Sequence, residues 1–96
     1  MSESVEIEDK LRALKPVLRE KYQVEKIGYF GSFARNEQHE DSDIDILVEF
    51  RRPLGWEFFD LQDFLEHELN RKIDLVSIKA LKEQLKGSIL QQTKYV

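Results

Sequence analysis

Ser42-Asp43-Ile44-Asp45-Ile46-Leu47-Val48-Glu49-Phe50 is the stretch that decides the fold. Residues 44–50 carry the strongest strand signal in the chain, a run of β-branched and large apolar side chains. Aspartate is depleted in strands. Yet Asp43 and Asp45 stand two apart around Ile44, where the strand begins. Period-two geometry puts both carboxylates on one side, with Ile44 and Ile46 on the other. Two carboxylates so close repel each other unless a cation lies between them or one is protonated.

Downstream, Asp74 repeats the anomaly between Ile73 and Leu75, within a predicted strand over Lys72–Val76. If the two strands are neighbours, three carboxylates converge on one spot. Three oxygen donors suit a hard divalent cation such as Mg²⁺, which completes its shell with water and phosphate oxygens. His39 and His67 are far apart and neither has a spaced partner, which argues against zinc. Any single aspartate of this kind is most often a solvated turn or capping residue, and Asp-x-Asp alone is a weak signal. The third aspartate strengthens it.

Upstream, Val24–Phe30 reads as a strand that runs into Gly31-Ser32, a turn signal. Ser32–Arg35 is predicted to open a short helix, and 36–41 to form a polar loop. Glycine permits positive φ and close approach of a ligand. Free N–H groups at a helix start and a serine hydroxyl favour an anion. Arg35 falls one helical turn later, on the side of Ser32, within reach of a phosphate. The plainer alternative is a strand-ending turn followed by a surface arginine.

The flanks are helical. Ile7, Leu11, Leu14, Leu18 and Tyr22 recur every three or four residues. Ser4 is a candidate N-cap, without a capping box, and Pro16 either kinks the helix or opens a second one. Phe58, Leu61, Leu65 and Leu69 mark a second helix, widened by Phe64 and Trp56. Residues 78–96 read as one or two short helices bearing Leu81, Leu85, Ile89 and Leu90, then an extended tail at Tyr95-Val96. The order, roughly α-β-α-β-α-β-α, predicts a layered α/β (α+β) domain with helices covering a small sheet.

Composition bounds the rest. Ninety-six residues predict one domain, 1–96, with a modest core. Hydrophobic residues at 41% support that core, and 35% charged residues predict a well-solvated surface. A net charge of −4 is not the basic footprint of a protein that grips nucleic acid by its phosphates. The absence of cysteine excludes disulfides, thiolate metal sites and cysteine catalysis. No apolar run approaches a membrane span, and the acidic N-terminus is no signal peptide. A soluble, cytoplasmic protein is expected.

Gly31-Ser32-Phe33-Ala34-Arg35-Asn36, then Ser42-Asp43-Ile44-Asp45-Ile46-Leu47-Val48, then Asp74 together resemble the minimal nucleotidyltransferases of the DNA polymerase β-like superfamily. The pattern there is G-S-x-A-R-G, a gap, S-D-x-D-[LI]-x-V and a later strand aspartate. Asn36 departs from the usual glycine, but asparagine is well tolerated in the left-handed region. The resemblance implies a small mixed sheet flanked by helices, and two Mg²⁺ ions held by Asp43, Asp45 and Asp74. These aspartates would also be the catalytic residues, with Asp74 a candidate base. The triphosphate of ATP would rest on Gly31 and Ser32, with Arg35 nearby. Members of this size are similar to antitoxins that move AMP from ATP onto a tyrosine of a HEPN-domain RNase toxin, so a hetero-oligomer with that toxin is expected. Two alternatives stay open: neutralisation by complex formation alone, and nucleotidyl transfer to RNA. Trp56 or Phe59 is the better candidate for an exposed contact; the other aromatics of that helix read as core.

Overall fold

The computed structural model describes residues 3–96. Met1 and Ser2, the start of the acidic N-terminus and of the expected 1–96 domain, lie outside them. The elements run α1 (Glu3–Tyr22), β1 (Val24–Phe30), β2 (Ile44–Phe50), α2 (Glu57–Leu69), β3 (Ile73–Ser77), a 3-10 turn (Ile78–Ala80), α3 (Glu83–Gln92) and β4 (Lys94–Tyr95). The four strands form one sheet in the order β3-β2-β1-β4. β2 and β3 are parallel, and the other two pairings are antiparallel, so the sheet is mixed as expected. Parallel neighbours need a crossover, and α2 supplies it.

Alternation along the strands separates two faces. Ile27 and Tyr29 of β1, Ile44, Ile46 and Val48 of β2, and Ile73 and Leu75 of β3 all point to one face and are buried. Helices α1 and α2 cover that face with Ile7, Leu11, Leu18, Leu61, Leu65 and Leu69. Side-chain hydrogen bonds pin the helices to the sheet: the Tyr29 hydroxyl donates to Glu8 Oε1 at 2.5 Å, Gln62 Nε2 to the Ile73 carbonyl at 3.1 Å, and the Ile73 amide to Glu66 Oε2 at 3.0 Å. Burial first, then the Glu8 carboxylate, pushes the Tyr29 phenol well above its ordinary range. Phe30, Asp45 and Asp74 lie on the opposite face, and this face carries the chemistry.

Two local expectations change, at Ser4 and at residues 31–36, and two are sharpened, at Pro16 and at the tail. Ser4 is not an N-cap; it sits inside α1, whose helix starts before the apolar periodicity does, and its hydroxyl donates to the Phe33 carbonyl at 2.9 Å. Pro16 lies within one continuous helix. Residues 31–36 form a turn and not a short helix, which makes the order α-β-β-α-β-α-β. The tail is a fourth strand, with Gly28 paired to Tyr95 and Tyr29 to Lys94. That pairing requires a glycine, because a Cβ on residue 28 would stand 2.6 Å from the Lys94 carbonyl oxygen.

Candidate active site

The site is assembled where three strand ends meet. Register places Asp45 of β2 directly between Phe30, the last residue of β1, and Asp74 of β3. Asp43 lies just before β2, two residues from Asp45. The parallel pairing meets the condition left open by the sequence and brings Asp74 beside the Asp43/Asp45 pair. Asp43 and Asp74 are exposed, and Asp45 is half-buried.

Gly31 seals the fourth side. Its φ is +73°, and a Cβ there would stand only 2.1 Å from Asp45 Oδ2. Only glycine fits both the left-handed backbone and the carboxylate packed against it. Beyond it, the Arg35 amide donates to the Gly31 carbonyl at 3.1 Å and the Glu37 amide to the Ser32 carbonyl at 2.8 Å. Asn36 closes this turn at φ +58°, the left-handed conformation for which asparagine substitutes for glycine. Since no helix follows, the anion-binding capacity here comes from individual donors and not from a helix dipole.

Two of those donors converge. The Gly31 amide donates to Gln92 Oε1 at 3.1 Å, and the Arg35 guanidinium donates to the same oxygen at 3.0 Å. The Arg35 Nε also pairs with Glu37 at 3.2 Å. A single acceptor oxygen can thus be held by a backbone amide and a cation, which is the arrangement a phosphate oxygen asks for. Ser32 is half-buried and gives its carbonyl to the turn.

The electrostatics follow from the packing. Burial, then the Asp74 charge and a hydrogen bond to its carboxyl, then Asp43, push Asp45 up from 3.8 to about 6; the Arg35 charge opposes them. Asp45 and Asp74 stand directly across from each other on neighbouring strands. Among the described residues no group of three His, Cys, Asp or Glu forms a closed metal-ligand cluster. The donor set still fits Mg²⁺: all hard oxygens, with a like-charge repulsion that a divalent cation would relieve.

The surface near the carboxylates is a shallow polar depression lined by Asp43, Asn70, Arg71 and Lys72. An apolar hollow lies at the other end of β2, among Phe50, Leu54, Phe58 and Ala80, away from the clustered aspartates. Beside it Trp56 and Phe59 are 83% and 60% exposed, their ring centroids 6.2 Å apart, so both of the aromatics singled out for exposure reach the surface. Phe58 and Phe64 pack against the core.

Sequence reasoning missed Gln92 and Arg71. Gln92 is 61 residues from Gly31 in sequence and meets it only because β4 folds back onto β1. Arg71 carried one faint sign, its place just before the strand that bears Asp74.

A profile of the nucleotidyltransferase domain matches residues 11–96. The chain is 52% identical over 93 residues to a Methanocaldococcus jannaschii protein provisionally named a protein adenylyltransferase, and the match covers 95% of each. It is 44% identical over 92 residues to the protein adenylyltransferase MntA of Thermococcus cleftensis, covering 95% of this chain and 93% of that one. A crystal structure of a toxin–antitoxin with AMP-PNP superposes with a TM-score of 0.76 at 30% identity, covering 92% of this chain and 70% of the other. Among the described residues no helix is long and apolar enough to cross a membrane.

Proposed function

The chain belongs to the nucleotidyltransferase domain family, and from that premise we propose that it is a Mg²⁺-dependent protein adenylyltransferase. In this reading it is an antitoxin that moves AMP from ATP onto a tyrosine of a HEPN RNase toxin. The observation that carries the proposal is the meeting of Asp45 with both Asp74 and the Gly31 backbone, which sets carboxylates beside an oxyanion-binding amide. The adenylyltransferase relatives support the reaction type, and the toxin–antitoxin likeness supports the acceptor class.

Each residue then has a task. Gly31 N–H and the Arg35 guanidinium bind a phosphate oxygen, at the place where they now share Gln92 Oε1. Ser32 lies in the same turn and is assigned to the same phosphates. Asp43, Asp45 and Asp74 would hold the metal, which would offset the triphosphate charge and lower the pKa of the acceptor hydroxyl. That oxygen forms a bond to the α-phosphorus, the bond to the bridging oxygen breaks, and pyrophosphate departs. The hydroxyl proton passes to a carboxylate of the site, for which Asp74, exposed at the strand end, is the assigned base.

The test is transfer of label from α-labelled ATP to the cognate partner. Asp43→Asn or Asp45→Asn should abolish it, and normal transfer by either variant refutes the metal assignment. A second reading, neutralisation by complex formation, draws on the paired exposed rings of Trp56 and Phe59. Full protection of cells by an Asp43/Asp45 double variant would favour it. Transfer to RNA has the weakest support, given the net charge of −4.

A further inference from the structure

We infer that Arg71 is a positioning residue that sets Asp43 relative to Asp45 and Asp74. The inference rests on the reading of these three carboxylates as metal ligands.

Arg71 lies in the tight turn between α2 and β3. Asn70 caps α2 in the left-handed conformation, with φ 53° and ψ 40°, and thereby turns the chain toward β3. The Arg71 Nη2 donates to the Ser42 carbonyl at 2.8 Å and to the His39 carbonyl at 3.2 Å. The Ser42 carbonyl belongs to the peptide that leads into Asp43, so the guanidinium fixes the plane of that peptide. On the other side of Asp43, the Ile44 amide donates to the Lys72 carbonyl at 3.0 Å. Asp43 is thus bracketed on both sides by consecutive residues of one turn. Two residues further along the chain comes Asp74.

The 39–42 loop closes on itself, with the Ser42 amide donating to the His39 carbonyl and the His39 amide to the Ser42 hydroxyl, both at 2.9 Å. Arg71 ties that closed loop to the rest of the molecule. Its other nitrogen, Nη1, pairs with Glu3 of α1 at 2.8 Å, and its guanidinium lies 5.0 Å over the ring of Phe33. Phe33 is fully buried in the turn that follows Gly31. One planar cation therefore contacts the loop before Asp43, the turn after Gly31 and the start of α1. Arginine suits this task and lysine does not, because only the guanidinium offers a rigid fork and a flat face together. Groups that hydrogen-bond a metal ligand directly commonly matter to metal affinity by about 10–100-fold, and Arg71, which acts through the peptide before Asp43, is expected at the lower end of that range.

The test uses Mn²⁺ as the probe, followed by electron paramagnetic resonance on the full chain. Binding by wild type, Asp43→Asn, Arg71→Ala, Arg71→Lys and Glu3→Gln is compared, with circular dichroism and thermal melts on each. Arg71→Ala is expected to weaken Mn²⁺ about tenfold. Arg71→Lys, which keeps charge and bulk, should lose most of the same affinity. Glu3→Gln removes only the ion pair and should bind as wild type does. If Arg71→Ala does not fold, Arg71→Lys decides. Wild-type Mn²⁺ affinity in a folded Arg71 variant overturns the inference, whatever its melting temperature. If wild type and Asp43→Asn bind Mn²⁺ equally, the underlying metal reading fails instead.

Discussion

Replacing Asp45 by asparagine should make the protein more stable at pH 8 while abolishing nucleotidyl transfer. The folded protein holds the Asp45 carboxyl at about 6 against 3.8 in the ordinary case. It therefore binds this proton more tightly than the unfolded chain does. The associated stability is fully present below pH 3.8, falls as pH rises, and is gone above about 6. Two pKa units correspond to roughly 3 kcal/mol at most. Asp45 is only half-buried, and solvent screening reduces that to about 1–2 kcal/mol. The amide of the Asp45→Asn variant carries no charge to repel Asp43 and Asp74, so the variant should recover this amount at pH 8 and almost nothing at pH 4. For a domain of this size that is a rise of roughly 5–10 °C in melting temperature. Urea unfolding of both proteins at the two pH values, in the presence of a chelator, provides the measurement. An equal gain at both pH values, or no gain at pH 8, would refute the account of Asp45 as a carboxylate held against its neighbours.

Gly31→Ala should cost about 2 kcal/mol or more, because it forces both a strained φ and a collision with Asp45; urea midpoints check this, and transfer should vanish with it. Tyr29→Phe should cost about 1–2 kcal/mol by removing the hydrogen bond to Glu8, read from the same urea curves, with transfer by the folded protein retained. Mg²⁺ at about a hundred-fold excess over its dissociation constant should raise stability by about 2.7 kcal/mol, seen as a thermal shift in wild type and missing in Asp43→Asn. An unchanged shift in that variant would mean that the ion binds elsewhere.

The strands of a small sheet and the candidate carboxylates were legible in the sequence because each rests on a period-two pattern, whereas the mixed pairing was expected only from the family resemblance. Ile44, Ile46 and Val48 alternate with Asp45 and Leu47, and Asp74 repeats the insertion of a charge between two buried residues. The turn after Gly31 was half legible. The glycine and the left-handed asparagine were visible, but a helix was expected from Ser32–Arg35, where local propensity does not reveal that Asn36 closes the turn after a few residues. Ser4 shows the same limit, since a serine before an apolar periodicity looks like a cap until the tertiary contact to Phe33 is seen. Gln92 and Arg71 were illegible for a different reason. Their roles consist of contacts to residues 61 and 29 positions away, and no spacing within either segment encodes them.

Gly31 and Gly28 lie three residues apart yet constrain the chain's mutational future in opposite ways. At position 31 the methyl group that alanine would add meets the Asp45 carboxylate of the candidate site. Drift there cannot trade stability for activity, since one collision removes both. At position 28 the added carbon meets the backbone of β4, so the damage falls first on the docking of the last strand. In a library of random variants, substitutions at 31 should disappear together from screens for folding and for catalysis. Those at 28 should grade through partially folded survivors, whose defects a second change in β4 can repair.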